Sequence, residues 1–250
     1  MSGHSKWSTI KHKKAASDAK RGKVFSKIAR EIMVAARSGG GDPNANVTLR
    51  ALLQKARSAN MPSDNIERAI KKGTGDLGGA ALEELTYEGY APGGVAILVG
   101  VLTDNKNRSA AEVRHLFTRY NGNLSATGSV SRLFERRGQI IVSGDAATED
   151  QLMELALDAG ADDMTNEGDH FEILTSPASF MNVADALNKA GIAMASSELT
   201  MLPLNWTPVS DKGQAASLLK FVEALDDLDD VQNVWHNADI SDEMMTEIEG

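Results

Sequence analysis

The order of elements predicted between Gln139 and Pro203 constrains this chain more than any other feature. Hydrophobic spacing gives a strand (QIIVS), a helix over 149–159, strands at ADDMT and HFEILT, a helix over 177–190 and a strand over 195–202. That β-α-β-β-α-β order is the ferredoxin-like arrangement. The chain then adds a helix near 212–225 and the strand VQNVWHN, too little to cover a core of their own. Upstream, ELTYEGY and GVAILVGVLTD flank the turn APGG as a hairpin. A helix opened by a capping box at SAAE (109–112) runs to about Tyr120, and SVSRLFERR reads as a third strand. This middle segment is short by one helix and one strand. The expected architecture is therefore α+β, with 139–205 inserted as a ferredoxin-like domain. Residues 81–138 and 206–240 then form one discontinuous α/β domain around it.

Ahead of these lies a helical segment, residues 1–75, with a basic tail. In an ideal helix from Lys20 to Arg37, Val24, Ile28, Ile32 and Ala35 share one face, while Lys20, Lys23, Lys27, Arg30 and Arg37 form a stripe of about 100° nearly opposite. GGGDP ends that helix. A second carries Leu49, Leu52, Leu53 and Ala56, and a third opens on an Asp64–Glu67 capping box and closes at Gly73. GTGDLGGA at 73–80 reads as a linker.

Charge divides along the same lines. Residues 1–75 hold 16 Lys/Arg against 5 acids, a net of +11; residues 76–142 are balanced; residues 143–250 carry a net of −20, within a total of −9. So steep a division points to domains that face different partners, the first of them a polyanion.

Several classes of chemistry find no support. The chain has no GxxxxGK[ST] loop, no HExxH and no GxSxG elbow. It has no cysteine, which excludes disulfides and thiolate ligands and fits a reducing, cytoplasmic setting. His4 and His12 lack nearby carboxylates, so no metal site is expected, and no cofactor. Adjacent acid pairs such as Asp162–Asp163 point to different faces and read as solvated surface. The longest apolar run, VAILVGVL at 95–102, is a buried strand too short for a bilayer. No apolar segment follows the first charges, so no signal peptide and no membrane partner are expected. The chain does not read as an enzyme.

Nucleic acid is the expected partner. Lys6, Lys11, Lys13, Lys14, Lys20, Arg21, Lys23, Lys27 and Arg30 supply charge for phosphates, while Trp7 and His12 supply flat faces for stacking on bases. A recognition helix would need several base readers near its start, and the third helix offers only Asn65 and Arg68. A second candidate anion patch comprises Lys106, Arg108 and Arg114 at a helix N-terminus, where an ordinary capped helix is the competing reading.

Three stretches carry a resemblance: GHSKWSTIKHKKAASDAKRGKVFSKIAREI, YEGYAPGGVAILV and TDNKNRSAAEVRHLFTRYNGNLSATGSVSRLFERRG. They are similar to the YebC/PmpR family, which includes the mitochondrial translational activator of cytochrome c oxidase. The resemblance implies three domains, one inserted in another, and no catalytic residue. It implies a probable DNA-binding transcriptional regulator or, alternatively, a ribosome-associated translation factor that relieves stalling on proline-rich sequences. In that second role Lys6, Trp7, Lys11, His12, Lys13 and Lys14 would contact ribosomal RNA. The acidic domains would face the ribosome or another protein, or repel nucleic acid so that it binds in one orientation.

Overall fold

The computed structural model describes residues 18–78 and 82–249. They fall into two compact units: residues up to Leu133 together with Asn205 onward, and Phe134–Leu204.

The first unit begins with helices α1 (Asp18–Gly39), α2 (Val47–Ser58) and α3 (Ser63–Thr74). Ile28, Ile32 and Ala35 of α1 close on Leu49, Leu53 and Ala56 of α2, with Met61 and Ala69 completing the core. The 4-and-3 spacing on both helices is what puts each set on one face. Asn46 joins α1 to α2. Its Oδ1 accepts from the Leu49 N–H at 3.0 Å, while its amide donates to the carbonyls of Ala35 and Gly40 at 2.8 and 2.9 Å. One buried side chain thus serves the last turn of one helix and the first turn of the next.

The third helix departs from expectation at both ends. It starts at Ser63 behind Pro62, with no side-chain cap, so the Asp64–Glu67 box does not form. It also runs past Gly73 to end on Gly75, whose φ is +92°. Gly73 has a different role: a Cβ there would lie 2.5 Å from the Met33 carbonyl oxygen. The missing side chain lets α3 lie close against the backbone of α1.

A four-stranded sheet follows in the same unit, in the order β3 (Asn123–Leu124), β1 (Glu83–Ala91), β2 (Val95–Thr103), β9 (Val231–His236). Strands β1 (Glu83–Ala91) and β2 (Val95–Thr103) form the expected hairpin, from Glu83↔Thr103 to Ala91↔Val95. Helix α4 (Lys106–Arg119) leads to the two-residue β3 (Asn123–Leu124). The cap of α4 is Asn105, whose Oδ1 accepts from the Arg108 N–H at 3.1 Å, and not a box at 109–112. Ser109 lies inside the helix and is buried.

SVSRLFERR does not form a strand of this sheet. Glu88 explains why: its carboxylate accepts from the backbone N–H groups of Gly128, Val130 and Ser131 at 2.8, 2.6 and 2.9 Å. Those donors are taken by a side chain and unavailable to a strand neighbour.

Phe134 instead opens a single ten-residue strand, β4 (Phe134–Ser143), unbroken through Gly138. The expected boundary at residue 139 therefore falls in mid-strand. Then come α5 (Glu149–Asp158), β5 (Asp163–Asn166), β6 (His170–Thr175), α6 (Phe180–Lys189) and β7 (Met194–Pro203). The sheet order β5-β6-β4-β7, with every pair antiparallel, is the ferredoxin-like topology. Ile140, Val142, Phe171 and Ile173 on its strands meet Leu152, Ala156, Val183 and Leu187 on its helices.

From Asn205 the chain rejoins the first unit. The short β8 (Thr207–Pro208) pairs in parallel with β10 (Ala238–Asp239), and the chain ends in α8 (Asp242–Glu249). Between them α7 (Lys212–Asp226) packs on α4, with Phe221 edge-on to Phe117 at 4.9 Å and stacked on Tyr120 at 5.2 Å. Strand β9 (Val231–His236) pairs with the free edge of β2, at Leu98↔Trp235 and Val99↔Val234. Helix α7 and strand β9 thus belong to the same unit as β1 and β2.

Candidate nucleic-acid interface

The α1 cations do not all face outward. Lys23 Nζ donates to Asp227 Oδ1 at 2.8 Å, one turn from Lys27 Nζ, which reaches the Asp226 carbonyl at 2.8 Å and its carboxylate at 3.0 Å. Arg30 donates to the Asp229 carbonyl and lies 3.4 Å from the Asp230 carboxylate. The acceptors belong to one turn, Asp226-Asp227-Leu228-Asp229-Asp230, between α7 and β9. A spacing of four and then three brings the cations into line on α1, where Lys23 meets Asp227, Lys27 meets Asp226 and Arg30 meets Asp229 and Asp230.

Asp230 is the fixed point of this contact. It is buried at 3% exposure, and its Oδ2 accepts from Thr103 Oγ1 at 2.9 Å, Ser109 Oγ at 2.8 Å, and Arg108 Nε and Nη2 at 3.1 and 2.6 Å. Burial pushes its carboxyl pKa up, but the bonds from Arg108, Ser109 and Thr103, with the Arg108 charge, prevail and hold it below the ordinary carboxylate value. The bonds to Asp230 and then to Asp104 raise the Arg108 pKa.

Lys6, Trp7, Lys11, His12, Lys13 and Lys14, the expected phosphate- and base-contacting tail, lie outside the described residues. Lys20 and Arg21 fall in the first turn of α1, with side chains also outside the description. Lys23, Lys27 and Arg30 are brought together on the acidic turn. In the second patch, Lys106 pairs with Glu83 at 2.5 Å and Arg108 with Asp104 and Asp230, while Arg114 is exposed. Two of its three cations are thus already matched by carboxylates.

A cleft of about 750 Å³ opens beside this contact, lined by Arg30, Arg37, Lys72, Arg108 and the acidic turn. The meeting of Arg37 and Lys72 there was not predicted. Lys72 belongs to an exposed set on α3, Arg68, Lys71 and Lys72, whose helical spacing was visible in the sequence. Among the described residues no group of His, Asp or Glu could hold a metal ion, and no helix is long and apolar enough to cross a membrane.

Fold and site together define an α+β protein with a cationic helical region ahead of two antiparallel-sheet structures, one interrupting the other. Residues 5–76 match the family model described as the TACO1/YebC protein N-terminal domain, and residues 82–238 that of the TACO1/YebC second and third domain. The chain belongs to the TACO1/YebC family. It is 55% identical over 248 residues to a probable transcriptional regulatory protein of Syntrophobacter fumaroxidans, covering 99% of this chain and 100% of that one. A protein of the same description from Rubrobacter xylanophilus is 53% identical over 251 residues, covering 100% of both. Among solved structures, a conserved hypothetical protein from Aquifex aeolicus matches with a TM-score of 0.82 and 46% identity, over 90% of this chain and 93% of that one.

Proposed function

We propose that this protein is a non-enzymatic, cytoplasmic regulator of gene expression that binds nucleic acid through its N-terminal region. The observation that carries the reading is the net +11 on residues 1–75 of a chain whose total is −9. Lysines 6, 11, 13, 14 and 20, with Arg21, would neutralise phosphates, and Trp7 and His12 would stack on exposed bases. Relatives that match along their whole length are described as probable transcriptional regulatory proteins, which supports a regulator.

A second reading, a ribosome-associated factor bound to folded RNA, is favoured by α3. Its first turn exposes Ser63 and Asp64, and a carboxylate at the leading end of a would-be recognition helix repels the phosphates it would approach. Contact with backbone phosphates suits such a surface better than base readout.

Competition between ribosomes and duplex DNA across a salt series tests both readings. With about six phosphates contacted, log affinity falls with log salt at a slope of about −4 to −5. Ribosome binding that survives excess DNA and is lost on changing Lys11, Lys13 and Lys14 to Glu supports the RNA reading. Preference for one duplex sequence at high salt supports the DNA reading. Binding to neither removes both.

A further inference from the structure

We propose that the acidic turn 226–230 is an internal stand-in for nucleic-acid phosphate, which holds the α1 cations Lys23, Lys27 and Arg30 until a polyanion displaces it. This rests on the nucleic-acid reading above and adds the regulation of that surface.

The contact has the chemistry of phosphate binding. Three cations in one helical stripe meet carboxylates and main-chain carbonyls at successive positions of the turn, at 2.8 Å for Lys23 and Lys27. Oxygen acceptors in a row with fixed negative charge are also what a nucleic-acid backbone presents.

The contact is graded from loose to firm. At the outer end, the Lys23 and Asp227 side chains are 48% and 59% exposed, so water and salt weaken their attraction. At the inner end, Arg30 is 25% exposed and Asp230 only 4%. Competing phosphate would therefore capture Lys23 first and Arg30 last.

Opening does not strand Asp230. It keeps its bonds from Arg108, Ser109 and Thr103, so this buried carboxylate retains its donors. The helical region keeps a core built from α1, α2 and α3 alone.

The test uses full-length protein, a labelled 30-base-pair duplex and a folded ribosomal RNA fragment of similar length, each across a salt series. The opened variant is D226N/D227N/D229N, with Asp230 left in place. A control, D150N/E154Q/D158N, removes equal charge from the exposed face of α5. The opened variant should bind at least one probe about tenfold tighter at low salt, with a slope steeper by about two as the freed Lys23 and Lys27 take phosphates. The control should change far less. D227N alone, at a position exposed on both partners, should show about a twofold gain even if the triple variant folds poorly. Wild-type affinity and slope in both D227N and the triple variant, or an equal gain in the control, would overturn the inference while leaving the nucleic-acid reading standing. Failure of the wild type to bind either probe would remove both.

Discussion

The Arg108 guanidinium meets the Asp230 carboxylate through two nitrogens, Nε at 3.1 Å and Nη2 at 2.6 Å, and so ties the start of α4 to the turn before β9. Thr103 and Ser109 donate to the same oxygen. Replacing Asp230 with Ala should destabilise the first unit by about 1–3 kcal/mol, since buried hydroxyls lose their acceptor. Asp230→Asn should lose less, because it keeps one acceptor oxygen. Urea denaturation at neutral pH checks both.

Glu88 is a pH-dependent support for the loop after β3. Burial raises its pKa, but the bonds from Gly128, Ser131 and Val130 prevail and lower it. A depressed folded-state pKa means the unfolded chain binds protons more readily, so the contribution is present above the unfolded carboxylate pKa and lost as pH falls through the folded one. Glu88→Gln should cost about 1–3 kcal/mol at pH 7 and progressively less in acid. Denaturation midpoints of both proteins between pH 7 and 3 should converge downward.

Glu172 has the opposite sign. Burial raises its pKa, only partly opposed by the bond from Gln139. The folded state then holds the proton more tightly, so stability falls as pH rises above the unfolded carboxylate pKa toward the folded one. Glu172→Gln should raise the melting temperature at pH 7 and lose that advantage in acid. An equal gain at both pH values would contradict this assignment.

Asn46→Ala should cost about 1–3 kcal/mol, more than a simple cap, because the Ala35 and Gly40 carbonyls lose their donor while the Leu49 N–H loses its acceptor. Asn46→Asp should recover the α2 cap but not the two donated bonds, and fall between. Thermal melts of the three proteins rank them.

Gly73→Ala should separate α3 from α1 at a cost of about 1–3 kcal/mol, since its methyl would lie against the Met33 carbonyl. Gly22→Ala on the exposed side of α1 meets nothing and should be neutral or slightly stabilising. Circular dichroism melts of the pair separate contact from propensity.

Much of this arrangement follows from local pattern. Alternation marked HFEILT as a strand over the same six residues that β6 occupies, and 4-and-3 spacing identified the buried faces of α1 and α2. The surplus helix and strand after residue 205 became α7 and β9, because a hydrophobic element cannot remain uncovered. Where side chains from elsewhere intervened, pattern misled. Ser109 looked like a cap and is a buried donor to Asp230, while the N–H groups ahead of Phe134 go to Glu88 instead of to a strand.

The sequence by itself determined where the charge lies along the chain, the order of the main elements and which faces of α1 and α2 are apolar. Periodicity and composition are properties of neighbours. Only the tertiary structure decided that Lys23, Lys27 and Arg30 meet the acidic turn, because the partners stand 199 to 204 residues away. Charge attraction depends on distance in space, and no local pattern along α1 encodes which acid will arrive opposite it.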